Sequence, residues 1–145
     1  MKNLTFRHEP MCDFFDKYHI DGLTDKDGNP IDAVVHHITD FDQGDPHDHP
    51  FAFDTYILKG WYTEAIYNIG PNGNFQGSII KTRKEGSVHS VGANTIHKII
   101  EVSEGGFYSI ITPKAKEKES CFYRFENGKV FVRQHNEEEF KPLNF

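Results

Sequence analysis

Gly44-Asp45-Pro46-His47-Asp48-His49-Pro50 is the stretch on which the fold and the chemistry of this chain turn. In an extended strand, residues two apart point to the same face, so the His47 and His49 imidazoles converge while Asp48 points away. Far downstream, Gly86-Ser87-Val88-His89-Ser90-Val91-Gly92-Ala93-Asn94-Thr95-Ile96-His97 ends in a third histidine, His97. Two ligands from one strand and a third from another are how a β-barrel interior builds a metal site with open coordination positions.

Outward from these stretches the chain reads as β-structure. Short β-type runs at 31–38, 51–58, 61–69, 77–83, 87–91, 96–102, 106–112, 121–125 and 129–133 are separated by Gly, Asn and Pro at intervals of about ten residues, the spacing of a sandwich or barrel. Lys59-Gly60, Glu85-Gly86, Glu104-Gly105-Gly106 and Glu126-Asn127-Gly128 supply residues that tolerate positive φ at hairpin turns. Eight or nine strands in one double-layered antiparallel domain over residues 1–145 follow: an extension at 1–30, a barrel at 31–134 and a tail at 135–145. The extension mixes aromatic and acidic residues before the turn-forming Asp27-Gly28-Asn29-Pro30, and is assigned irregular structure with at most one short helix near 10–18.

Composition narrows the function classes. In 145 residues, 16 Lys and Arg against 22 Asp and Glu give a net charge of −6, which disfavours a nucleic acid or an anionic membrane as partner. Thirteen Phe, six Tyr and one Trp concentrate apolar area in few positions and suit a small core. The start, Met-Lys-Asn-Leu-Thr-Phe-Arg-His, lacks an apolar run of signal-peptide length, so a cytoplasmic protein is expected, with Cys12 and Cys121 as free thiols.

These histidine stretches resemble the two motifs of the cupin superfamily. The first is commonly Gly, five residues, His-x-His, three or four residues, Glu, six residues, Gly. Here two residues separate Gly44 from His47, four separate His49 from Asp54, and five separate Asp54 from Gly60. The second is Gly, five residues, Pro-x-Gly, two residues, His, three residues, Asn. Gly86, Gly92, Asn94, His97 and Glu101 occupy those places, and Asn94 is the next-best residue to Gly for a left-handed turn. More closely, His-Asp-His-Pro-Phe-Ala-Phe-Asp-Thr-Tyr-Ile-Leu-Lys-Gly-Trp-Tyr is similar to small bacterial and phage cupins often described as like cysteine dioxygenases.

The resemblance implies an all-β, jelly-roll (double-stranded β-helix) barrel with a divalent transition metal held by His47, His49 and His97. Counting forward from His49 puts Asp54 at the acidic ligand position, whereas counting backward from Gly60 puts Phe53 there, and Pro50 interrupts the parity that would decide. Imidazole suits iron, nickel, copper and zinc, manganese is also compatible with a cupin site, and iron is preferred by resemblance. A small-molecule substrate is implied, with Tyr56, Tyr62 and His89 as candidate catalytic groups and Lys81, Arg83 and Tyr108 as candidate substrate-binding groups.

Three functions stay open. One is non-haem iron dioxygenase-like chemistry, another is Lewis-acid isomerase, epimerase or lyase chemistry, and the third is a non-catalytic small-ligand or protein-binding module. Thiol dioxygenases place a carboxylate-binding Arg upstream of His-x-His; only Arg7 lies there, outside the expected barrel, which counts against a cysteine substrate. His36 and His37 are read as structural, His8, His19 and His135 as surface residues. A homodimer is expected from the exposed edges of a small β-sandwich.

Overall fold

The computed structural model describes residues 3–143. Each β-type run becomes a strand: β3 Val34–Ile38, β4 Phe53–Lys59, β5 Tyr62–Ile69, β6 Phe75–Arg83, β7 Val88–Val91, β8 Ile96–Val102, β9 Phe107–Pro113, β10 Cys121–Glu126 and β11 Lys129–Gln134. Before them stand β1 Thr5–Cys12 and β2 Phe15–Asp21, and after them a short β12 Lys141–Pro142. The described residues contain no helix, and so none long and apolar enough to cross a membrane.

The expected helix near 10–18 is therefore replaced by a hairpin. The alternation of Phe15, Lys17 and His19 with Asp16, Tyr18 and Ile20 has the period of a strand, and β1 pairs with β2 from Thr5↔Asp21 to Cys12↔Phe15. β2 then pairs with β3, so the hairpin continues the barrel sheet and the β-structure begins well before residue 31.

One sheet runs β1-β2-β3-β9-β4-β7 and a second β6-β5-β8, while β10-β11-β12 forms a third. The pairs are antiparallel throughout. Ile38, Ile57, Tyr62, Ile99 and Phe107 meet in the core, with the Tyr62 and Phe107 rings stacked 4.5 Å apart. A second cluster of Phe53, Val91 and Ile111, covered by Phe51, extends the apolar interior.

Period-2 alternation decides what the barrel interior contains. Phe53, Thr55 and Ile57 of β4 are buried, whereas Asp54 is half-buried and Tyr56 exposed on the opposite face. On β9, Phe107, Ser109 and Ile111 are buried and Tyr108 is exposed.

Tight turns close the strands. Gly106 has φ +83°, and a Cβ there would overlap the Ile38 carbonyl oxygen and lie 2.7 Å from the Thr39 Cα. Gly128 has a similar φ of +76°, with open space where its Cβ would be. Gly106→Ala is expected to cost about 3 kcal/mol, strain plus overlap, and Gly128→Ala about 1 kcal/mol, strain alone. Urea unfolding of the two variants checks this; equal losses would contradict it.

Candidate metal centre

The His-Asp-His segment crosses between β8 and β10, held by its own backbone. His47 donates its N–H to the His97 carbonyl at 3.0 Å and accepts from the His97 N–H at 2.9 Å. His49 N–H donates to the Ala93 carbonyl at 3.1 Å, and on the other side Asp48 N–H donates to the Cys121 carbonyl at 3.0 Å. The Asp48 side chain, 2% exposed, accepts from the Cys121 N–H at 2.7 Å, from the Tyr123 hydroxyl at 2.8 Å and from the Lys118 ammonium. A buried carboxylate stripped of such partners costs about 3–5 kcal/mol, so Asp48 fixes the segment firmly.

With Asp48 turned to β10, the neighbouring imidazoles turn into the barrel. One nitrogen from each of His47, His49 and His97 lies within 4.8 Å of the others. The ring centroids of His97 stand 4.8 Å from both partners, and those of His47 and His49 are 5.2 Å apart.

His97 is oriented from behind. Its Nδ1 lies 2.8 Å from Glu64 Oε1, and Arg83 Nε donates to Glu64 Oε2 at 2.8 Å. Glu64 is 1% exposed; burial acts to raise its pKa, but the hydrogen bonds from His97 and Arg83 outweigh it and bring the carboxyl down to about 2. An ionised carboxylate only accepts, so His97 Nδ1 carries the proton and Nε2 keeps the free lone pair.

Burial is the main cause that pushes His47 below its ordinary value and His49 down to about 2. His49 Nδ1 is buried with no hydrogen-bond partner among the described residues. Three clustered imidazoles, one of them with a buried nitrogen that has no partner among the described residues, fit a divalent transition ion and leave coordination positions open.

The cluster opens on a cavity of about 610 Å³ inside the barrel. Its walls are the inward rows of the strands: Phe15, Lys17 and His19 of β2; Val34, His36 and Ile38 of β3; Phe53 and Thr55 of β4. Tyr62 and the inward residues of β8 and β9 complete it. A wider, shallower groove outside, between 66–71 and 92–96, contains none of the three imidazoles.

No protein-family model matches this sequence, and no curated protein matches it. Solved structures do match. A Bacillus subtilis oxalate decarboxylase aligns at 15% identity and a TM-score of 0.53, over 77% of this chain and 29% of its own. The Drosophila melanogaster CENP-C cupin domain aligns at 7% identity and 0.51, over 77% and 75%. This chain has the cupin fold. The Fe(II) form of HppE, the hydroxypropylphosphonic acid epoxidase, aligns at 11% identity and 0.50, over 77% of this chain and 56% of its own. The chain thus spans about half the length of that epoxidase.

Within the cupin barrel, the candidate residues separate cleanly. His47, His49 and His97 come together, and Tyr62 lines the cavity with its hydroxyl 3.1 Å from His89 Nε2. Burial pushes the Tyr62 hydroxyl well above its ordinary value and His89 down to about 4, so the tyrosine donates and the histidine accepts.

Asp54 stands outside the cluster. It lies on the outward face of β4 and accepts from the Ser90 hydroxyl, while Phe53 occupies the inward position, as the count backward from Gly60 would have it. Tyr56 shares that outward face, and Tyr108 stacks on His37 at 3.9 Å outside the barrel. Lys81 sits exposed on β6, and Arg83 is committed to Glu64. Strand parity removes Tyr56 and Tyr108 from contact with a molecule in the cavity, whereas Lys81, paired with Glu64 and so on the same face of the sheet, is exposed on the edge strand β6 and does not line the cavity.

Conversely, His36 and His19, read as structural and surface residues, both line the cavity, as does Lys17. Glu64 was readable: an acidic residue within Tyr62-Thr63-Glu64-Ala65-Ile66 shares its face with Tyr62 and needs a buried partner.

Stability should report this burial. His36 is driven to about 3 and His49 to about 2, in each case chiefly by burial, against an ordinary 6.5. The unfolded chain therefore binds protons that the folded chain refuses, and the stability they confer is complete above pH 6.5 and is lost as pH falls. In metal-free protein the urea midpoint should drop from pH 7 to pH 5, with His36→Gln flattening the slope by about 1 kcal/mol per pH unit. A midpoint independent of pH would contradict this.

Proposed function

We propose that this chain is a metal-dependent cupin in which His47, His49 and His97 hold one divalent transition ion, iron by preference, and that it oxygenates a small molecule. The observation that carries this reading is the convergence of three imidazole nitrogens within 4.8 Å on the wall of a 610 Å³ cavity. That volume lies in the range of small-molecule sites, roughly 300–1,000 Å³. Fe(II) in HppE and Mn(II) in the oxalate decarboxylase are ions carried on this fold in those proteins, and they support a redox-capable metal here.

When bound, such an ion supplies open positions at which a substrate and dioxygen meet. The chain's own residues do the rest. Glu64, pinned by Arg83, holds His97 in one tautomer and one orientation. Tyr62, kept protonated by burial, donates to His89 and leaves its hydroxyl oxygen as an acceptor for a polar substrate atom at the cavity wall. Phe51 and Phe53, edge-on to each other at 6.3 Å, give the cavity an apolar wall for the body of a substrate.

Elemental analysis of protein grown with several transition metals, beside the His47→Ala/His97→Ala double variant, tests the reading. The expected result is near-stoichiometric iron in the wild type, lost in a folded double variant, with oxygen uptake when substrates are screened. Metal content unchanged by the double substitution would overturn the site, and bound zinc or nickel without oxygen uptake would overturn the reaction.

A further inference from the structure

The N-terminal hairpin, outside both histidine motifs, contributes a wall of the cavity. Lys17 of β2 and His36 of β3 are directly paired across the two strands, and both face inward. Lys17 is half-buried, its ammonium 5.6 Å from the centroid of the Phe15 ring. His36 lies edge-on to the same ring, at 4.9 Å and 66°. Among the described residues, the side chains of Lys17 and His36 form no hydrogen bond or ion pair within the protein.

The other charged groups on this wall are accounted for. His19 Nε2 is 2.8 Å from Glu9 Oε1, and Asp42 Oδ2 accepts from the Ile99 N–H at 2.8 Å. Asp32 sits at the exposed rim. Lys17 is thus a half-buried cation with no direct salt bridge, its cross-strand neighbour Glu9 being hydrogen-bonded to His19, and it stands beside an imidazole without a partner, above aromatic rings.

We propose that Lys17 and His36 anchor the carboxylate of a small organic acid whose apolar body lies along Phe15, Phe51 and Phe53 toward the three histidines. A carboxylate offers two acceptor oxygens, one for the ammonium and one for an imidazole N–H, and such charge-assisted bonds are the strong ones. The anion also gives the half-buried Lys17 ammonium a direct hydrogen-bonding partner, which Glu9, bonded to His19, does not provide. This assignment rests on the reading of the cavity as the substrate site, and it replaces Lys81, Arg83 and Tyr108 as the substrate-binding groups.

The test uses 3-phenylpropionate and its uncharged analogue 3-phenylpropionamide, titrated calorimetrically into full-length protein, metal-loaded and metal-stripped. The metal-stripped arm removes direct carboxylate–metal contact as a source of affinity. The acid should bind both forms more tightly than the amide, and Lys17→Gln should weaken the acid by about tenfold or more while leaving the amide unchanged. His36→Gln should weaken the acid by a smaller factor, and Lys17→Arg should retain the preference for the acid.

Equal binding of acid and amide to the stripped protein, an acid affinity untouched by Lys17→Gln, or no saturable binding of the acid up to 10 mM would each overturn the anchor. Discrimination between acid and amide in a protein that takes up no metal would keep the anchor and refute the metal reading. Bound metal with no such discrimination would do the reverse.

Discussion

The buried carboxylate of Asp48 is the contact on which the rest of the site depends. It lies between two histidines in a segment with no regular strand of its own, and it is drawn toward β10 by the Cys121 N–H, the Tyr123 hydroxyl and the Lys118 ammonium. Because neighbouring side chains in extended backbone point to opposite faces, satisfying Asp48 on one side places His47 and His49 on the other. The reciprocal backbone hydrogen bonds between His47 and His97 then set the third imidazole opposite the first two. The small sheet that carries β10 therefore shapes the three-histidine cluster without contributing a side chain to it.

The interior of the barrel follows from the same alternation, applied strand by strand. Phe107, Ile57 and Tyr62 pack one end of the core, while His36, Thr55 and Ser109 bring polar groups into a space that an apolar core would have filled. Such groups cost stability, and sites kept at that cost are where proteins depart from optimal packing. Glu64 illustrates the trade: a nearly inaccessible carboxylate, retained because His97 and Arg83 both donate to it, and in return fixing the ring of one candidate ligand.

What the sequence revealed and concealed divides along local and non-local lines. The His47–His49 spacing is local and the third histidine carries a turn-marked approach, so the triad was readable, as were all nine β-type runs from residue 31 onward. Asp54 was ambiguous because Pro50 lies between it and the histidines, and only the register of β4 against β7 and β9 shows that Phe53 faces inward. The segment near 10–18 looked irregular because its acidic and aromatic residues alternate between two faces that both carry polar groups. Lys17 and His36 became neighbours only through the pairing of β2 with β3, which no local pattern states.

X-ray absorption spectroscopy of the metal-loaded protein, beside the Asp54→Asn variant, tests the central claim most directly. Imidazole scattering from three histidine nitrogens, unchanged by Asp54→Asn, is the predicted result. A spectrum without imidazole scattering, or one that loses an oxygen ligand in the variant, would contradict a centre built by His47, His49 and His97.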